Sequence, residues 1–382
     1  MTNSYVILTG SKNNAGDFLI KHRAKKLFAE LRPDRDIIDM DGWKPFNDQS
    51  LEIVNSAKAL ILMGGPALQP HMHPSIYPLT PDLNDIRVPI TTMGIGWKSA
   101  RGSWNDSSNY PLQAGTKNLL HKITQSPLPC SVRDFHTLNV LNSHGLDNTL
   151  MTGCPAYYDL DFIGSTPAVP KKINKVAFSL GVSFISSNSM EKAMKSQILE
   201  LKDFFSSSEF EVVFHHSLDP ETFLQTHGSS RKHVESHNEF AAWLSQNDID
   251  YVDISGSAEN LVDYYSKVDI HIGYRVHAHI FMNSISKLSL LIAEDGRGKA
   301  AEKVIGGLIF SADNGFRNSL PSKIINRLSS RYSQHIPAKN LAHDLTRSIN
   351  YEMNSDGHRM KISRLSIDQN FEIMKRYIKA LP

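Results

Sequence analysis

The sequence predicts an α/β protein of two successive βαβ domains, each built on a mostly parallel sheet. Three observations carry this. Short apolar runs of strand length alternate with segments of helical period. A stretch with Pro155, Pro167, Pro170 and Gly164 interrupts that alternation across Pro155–Lys175, and the same pattern restarts beyond it. The length, 382 residues, suits about two domains at roughly 100–200 residues each.

The first strand is Tyr5–Thr9 (YVILT), a run apolar enough to be covered on both faces. A Gly/Asn loop follows, then a helix over Phe18–Leu31, where Leu19, Ala24, Leu27, Phe28 and Leu31 share one face. Ala59–Met63 is a second buried strand ending in Gly64-Gly65-Pro66, and Val88–Met93 a third ending in Gly94-Ile95-Gly96. Cys130–Arg133 and Thr149–Thr152 are short strands around a helix at Phe135–His144. After the linker come a strand at Lys175–Leu180, a helix at Met190–Phe205 and a strand at Phe210–Phe214. Tyr251–Ile254, Val268–Ile272 and Leu288–Ala293 are further strands, and Ile362–Leu381 has a helical period.

Composition narrows the function classes. Net charge is +2, with 41 basic and 39 acidic residues and no long block of one sign, which argues against a nucleic-acid partner held by phosphate neutralisation. Two cysteines, Cys130 and Cys154, exclude a disulfide scaffold and a cysteine-based zinc module. The N-terminus lacks a basic segment followed by an apolar one, so no signal peptide is expected. No apolar run reaches the ~18 residues of a membrane helix. The expected location is the cytoplasm, including the inner membrane face.

Ligands of open parallel sheets bind beyond the carboxyl ends of the strands, so strand-end residues are the candidates. After strand one, Asn13, Asn14 and Gly16 form a small flexible loop entering a helix, a cradle for an anion or polar ligand. It is neither a P-loop nor GxGxxG. Asp17 fits a helix N-cap or a catalytic carboxylate, and the two roles are compatible. Gly64 and Gly65 mark a sharp turn or a close ligand approach. Arg133 is open between an ion pair with Asp134 and a forked grip on a carboxylate or phosphate. In the second half, His215 and His216 follow a buried strand. Arg275, His277 and His279 follow another, at a helix N-terminus where cations oppose the dipole and an anion would offset that cost. His277 and His279, two residues apart on a helix, do not share a face, and the loop pair His71 and His73 has no further ligand nearby in sequence. No metal is expected.

The ordered motifs resemble the polysaccharide pyruvyl transferase family. They are Gly10…Asn13-Asn14-Ala15-Gly16-Asp17, Gly64-Gly65, Ser131-Val132-Arg133-Asp134 with Thr137, Leu138 and Gly145, and Thr152-Gly153-Cys154-Pro155-Ala156. Tyr274-Arg275-Val276-His277-Ala278-His279 and Ala293-Glu294-Asp295-Gly296-Arg297-Gly298-Lys299 complete the set, which runs through roughly residues 5–310. One departure is Cys154-Pro155, where the family more often has Asp-Pro, so no acid role is assigned there. The resemblance implies a GT-B-like fold, two Rossmann-like domains facing across a cleft. It implies an acceptor-side domain at 1–160, a donor-side domain at 171–340 and a helical segment at 341–382 that packs back on the first domain. It also implies transfer of the pyruvyl group of phosphoenolpyruvate onto two hydroxyls of a sugar, in a polysaccharide or its soluble or lipid-linked precursor, with no cofactor beyond that donor.

In that chemistry Arg275 binds the donor anion, with Arg133 or Arg297 as a second cation. His277 is the acid or the phosphate partner, since an imidazole pKa near ~6.5 serves both directions of transfer. Asp17 orients or deprotonates the sugar hydroxyl. The rival reading is a GT-B glycosyltransferase with a nucleotide-sugar donor, which needs a carboxylate for the sugar hydroxyls; Glu294 or Asp295 is placed for it. A third reading is a non-catalytic binding partner, against which stands the retention of polar groups in both halves.

Overall fold

The computed structural model describes residues 2–10, 15–99, 102–227, 231–316 and 335–382. The chain divides into two compact units. The first is Met1–Ser165 with Asp295–Gly306 and Ser363–Pro382; the second is Thr166–Glu294 with Gly307–Ile362. Each unit carries one six-stranded sheet in which every pairing is parallel.

The first sheet comprises β1 (Ser4–Thr9), β2 (Asp36–Asp41), β3 (Ala59–Leu68), β4 (Ile90–Trp97), β5 (Cys130–Val132) and β6 (Thr149–Met151), in the order β2-β1-β3-β4-β5-β6. All six residues of β1 are buried, as a central parallel strand requires. The helix Ala15–Leu31 covers it with Leu19, Ile20, Ala24, Leu27 and Phe28. β2 escapes a sequence reading because it is an edge strand: Asp36, Asp39 and Asp41 are exposed and Ile37, Ile38 and Met40 only half-buried. β3 and β4 both run past their expected ends. Gly64-Gly65 and Gly94-Ile95-Gly96 lie inside the strands, and the β3–β4 register shifts between Gly65 and Leu68.

The second sheet comprises β7 (Lys175–Ser179), β8 (Glu209–Phe214), β9 (Asp250–Asp253), β10 (Ile270–Gly273), β11 (Leu288–Ala293) and β12 (Ile309–Ser311), in the order β12-β11-β10-β7-β8-β9. Counted from β7, this is the 3-2-1-4-5-6 order of the Rossmann fold. Phe178, Val212, Ile272 and Leu290 from the strands pack with Met194, Ile198 and Leu201 of the helix Asn188–Phe204. A small antiparallel ribbon, β13 (Asp313–Phe316) with β14 (His335–Pro337), belongs to the same unit.

The C-terminal segment is shared between the units. The helix Leu341–Asn354 counts with the second, whereas Ser363–Pro382 counts with the first. There Tyr377 and Ile378 are fully buried, Tyr5 Oη donates to the Pro382 carbonyl at 2.6 Å, and Arg32 Nη1 donates to that of Leu381. Residues Asp295–Gly306 also count with the first unit. Among the described residues no helix is long and apolar enough to cross a membrane.

Candidate active site

In a doubly wound sheet the strand order reverses at one point, and ligands bind beyond the carboxyl ends there. In the first sheet this point lies between β1 and β3. Asp17 reaches it from the first turn of the helix Ala15–Leu31, where the helix dipole favours a carboxylate. Asp17 is itself helical rather than a cap residue. Its side chain is buried and lies against Gly65: a Cβ built there would sit 2.7 Å from Asp17 Oδ1. Gly65 also has φ +84°, so both the backbone and the carboxylate demand glycine. Gly64 backs onto Ile20 and the Gly94 carbonyl rather than onto open space, and Gly16 is buried inside the first helical turn. Tyr77 donates to the Met63 carbonyl at 2.6 Å; burial, with the Asp17 charge adding to it, pushes its phenol far up. Asn13 and Asn14 lie outside the described residues.

Arg133 follows β5 and lies over Gly96, 8% exposed. Its Nε is 3.9 Å from Asp134 Oδ2, both side chains buried, so a surface ion pair is excluded. Asp134 caps the helix Phe135–Asn142 instead, accepting from Thr137 N at 2.7 Å and Thr137 Oγ1 at 2.9 Å. Burial pushes the Asp134 carboxyl up against the pull of Arg133. Burial likewise pushes the Cys154 thiol up to about 11, with Arg133 lowering it and Asp17 raising it. One neighbourhood of the first unit thus holds Asp17, Arg133 and Cys154. Arg297 grips Asp295 with Nε at 2.9 Å and Nη2 at 2.6 Å, which helps hold the Asp295 carboxyl low despite its burial.

In the second sheet the reversal lies between β7 and β10. Ser179 ends β7 and Gly273 ends β10. Gly273 has φ +140°, and a Cβ there would lie 2.4 Å from the Ser179 carbonyl oxygen, so only glycine lets the two strands end side by side. Arg275 is the N-cap residue of the helix Val276–Ser284, and no side chain caps that end. Its backbone N–H donates to Ser179 Oγ at 3.0 Å, and its Nη2 donates to His216 Nδ1 at 3.2 Å. Arg275 and His277 are both half-buried.

Behind Arg275 runs a buried polar chain. Ser179 Oγ is 2.8 Å from His271 Nε2, His271 Nδ1 is 2.8 Å from Ser289 Oγ, and Ser289 Oγ is 2.8 Å from His279 Nδ1. One direction uses every hydroxyl hydrogen: Ser179 donates to His271 Nε2, His271 Nδ1–H donates to Ser289, and Ser289 donates to His279. Burial holds His271 well below the usual imidazole range and pushes His279 down to about 3, so both rings are neutral near pH 7. His279 is 1% exposed, with its Nδ1 against Ser289 at the end of this chain away from Arg275. His215 turns to Tyr265 Oη at 2.7 Å and is also buried; burial, then the charges of Arg275, His271 and His277, hold it well below the usual range.

Ser179, His271 and Ser289 were legible only as lone polar residues inside apolar strands, KVAFS, IHIG and LSLLIA. A second missed group is His233 and His237, four residues apart on the helix Arg231–Gln246 and beside His216. The spacing His-x-x-x-His was the available signal. The expectation of no metal rests on His71, His73, His277 and His279, a different set.

Two doubly wound units in one chain, each with polar strand ends where its strand order reverses, define an α/β protein of the GT-B type. A family model described as polysaccharide pyruvyl transferase matches residues 14–281, about 70% of the chain, and the chain belongs to that family. Similar solved structures include UDP-GlcNAc 2-epimerase from Neisseria meningitidis bound to UDP-GlcNAc, 11% identical over 97% of this chain and 98% of that one, with a TM-score of 0.49. UDP-GlcNAc 2-epimerase of Methanocaldococcus jannaschii is 11% identical over 91% and 99% of the two chains, with a TM-score of 0.47. An alpha-glucosyltransferase in complex with UDP and DNA is 8% identical over 98% and 99%, with a TM-score of 0.45. No curated protein matches the chain.

Proposed function

We propose that the protein transfers the pyruvyl group of phosphoenolpyruvate onto two hydroxyls of a sugar in a polysaccharide or its precursor, forming a ketal. Two C–O bonds form at C2 of the enol, the bond from C2 to the phosphate oxygen breaks, and C3 becomes a methyl group. Of the two hydroxyl protons, one is balanced by the proton that C3 gains and the other leaves with phosphate. The donor carries a phosphate and a carboxylate, so its pocket calls for Arg and His rather than Asp and Glu.

The observation that carries this reading is the strand end of the second unit. The Arg275 guanidinium lies against His216 at a helix N-terminus, two residues before His277. In this reading Arg275 and His216 bind the donor anion, and His277 is the acid for C3 or the partner of the leaving phosphate. Asp17 takes the proton of a sugar hydroxyl, and no cofactor is required. Membership of the family supports the transfer class. The nucleotide-sugar alternative draws no support from either carboxylate placed for it. Glu294 accepts from the N–H groups of Val182 at 3.1 Å and Ser183 at 2.9 Å, and Asp295 is held by Arg297.

The test is phosphate release from phosphoenolpyruvate with a panel of acceptor glycans, alongside thermal stabilisation by phosphoenolpyruvate and by UDP-sugars. Acceptor-dependent release with stabilisation by phosphoenolpyruvate is expected. Stabilisation by UDP-sugars alone, with no release, would replace this reading with the glycosyltransferase one.

A further inference from the structure

The second unit holds a group of imidazoles of which two have no part in the donor chemistry above. His233 and His237 are one helical turn apart, the spacing that puts two side chains on one face. Their rings stack with centroids 4.8 Å apart and planes 20° apart. His216, in the segment after β8, comes against that face, with centroids 5.6 Å from His233 and 5.7 Å from His237. One ring nitrogen from each of the three lies within 4.8 Å of the others. Fully buried Phe223 packs against all three rings, and Phe184 and Phe214 pack against His237.

The tautomer of His237 is set by its surroundings. Nδ1 is 2.9 Å from the His233 carbonyl oxygen, which can only accept. Nδ1 therefore carries the hydrogen, and the lone pair is on Nε2. A ring nitrogen donating to a backbone carbonyl while the other carries the lone pair is the form in which histidines ligate metals.

We propose that His216, His233 and His237 form a site for one first-row divalent cation of the Zn²⁺ class, with a fourth position open to water or an anionic oxygen. Three imidazoles suit Zn²⁺, Co²⁺, Ni²⁺ or Cu²⁺ and do not suit Mg²⁺ or Ca²⁺. Three nitrogen ligands with an open position are the pattern of accessible rather than closed structural zinc sites. Bonds of about 2.0–2.1 Å at tetrahedral angles put ligand nitrogens about 3.4 Å apart. Closing from 4.8 Å takes side-chain rotation of about an ångström, which the half-buried His216 and His233 can supply.

The site shares His216 with Arg275. A guanidinium has no acceptor, so the His216 Nδ1 facing it carries a lone pair. A metal ion on Nδ1 would displace Arg275. A metal ion on Nε2 would move the hydrogen to Nδ1, where it would meet the guanidinium N–H. Metal binding and the Arg275–His216 contact therefore exclude each other, and removing the guanidinium should strengthen the metal site.

The experiment is titration of the chelator-treated full chain with Zn²⁺ against a chromophoric chelator, repeated with Co²⁺ to read visible d–d absorption. The proposal expects one Zn²⁺ per chain and Co²⁺ bands typical of low coordination number. His233→Gln and His237→Gln should each weaken Zn²⁺ by roughly 100-fold or more, since loss of a mere outer partner already costs 10–100-fold. Replacing His121, an exposed histidine of the first unit, should change nothing. Arg275→Gln should tighten Zn²⁺ by roughly tenfold or more, as a nearby like charge is removed. His233 is half-buried, so its variant stays interpretable if the buried His237 variant fails to fold. Less than half a Zn²⁺ per chain, or equal affinity in the wild type and His233→Gln, would overturn the site. Weaker binding in Arg275→Gln would overturn the competition for His216.

Discussion

The first sheet reverses its strand order beside a carboxylate, and the second beside a guanidinium and imidazoles. Asp17 sits at a helix N-terminus and against Gly65, where both backbone dipole and missing side chain make room for negative charge. Arg275 also sits at a helix N-terminus, yet there the local charge opposes the dipole. Its backbone is fixed through Ser179 to the chain of His271, Ser289 and His279, while its head meets His216. One topological rule thus gives two chemistries. In the proposed reaction the carboxylate end would serve the hydroxyl that loses a proton, and the cationic end the anionic donor.

The sharpest way to break this contrast is at His277. His277→Gln keeps a donor but cannot carry a proton, so kcat should fall by about 10²–10⁴ if the ring is the acid. A loss confined to KM would make it a phosphate ligand. Unchanged kinetics would remove His277 from the chemistry.

Acid separates the two units next. In the folded second unit burial holds His215, His271 and His279 neutral, whereas in the unfolded chain each takes a proton near pH ~6.5. Below that value the unfolded state binds more protons, so stability falls as pH falls. At pH 5.5 the loss is about 1.4 kcal/mol for each fully neutral ring. In the first unit burial also lowers His136 and His144, though less far, and Asp134 works in the opposite sense, because its carboxyl is pushed up and the folded state takes that proton first. Hydrogen exchange followed by peptide from pH 7 to 5.5 should show the second unit opening before the first; the reverse order would sink the assignment of neutral buried rings.

Arg275→Lys keeps the charge and loses the fork. It should cost roughly 1.5–3 kcal/mol, about ten- to hundredfold in kcat/KM for phosphoenolpyruvate, with little change in melting temperature. The smallest effect is at the cysteines. Both are buried and their thiols are pushed up, Cys154 to about 11, so a disulfide reagent should label neither in the native protein. Stoichiometric native labelling would contradict that burial.

The sequence made some of this contrast legible for identifiable reasons. β1 and β7 read clearly because strands covered on both faces are apolar throughout. The glycines after them read as strand ends, but β3 and β4 continue through theirs, since a bulged strand can absorb a positive φ without stopping. Arg275 and His277 stood out because cations at a helix start need a reason. His279, two residues on, carried the same signal while facing the core; only packing against Ser289 distinguishes it. His233 and His237 were legible as a spacing, but nothing in the local sequence brings His216 to them.

The most direct test of the division of labour is calorimetric titration of phosphoenolpyruvate into the wild type, Arg275→Lys and Asp17→Asn. The account predicts binding to the wild type, a ten- to hundredfold weaker constant in Arg275→Lys, and a constant within about twofold of wild type in Asp17→Asn, whose loss falls on turnover. Equal binding by Arg275→Lys and the wild type, with the loss appearing in Asp17→Asn, would contradict it.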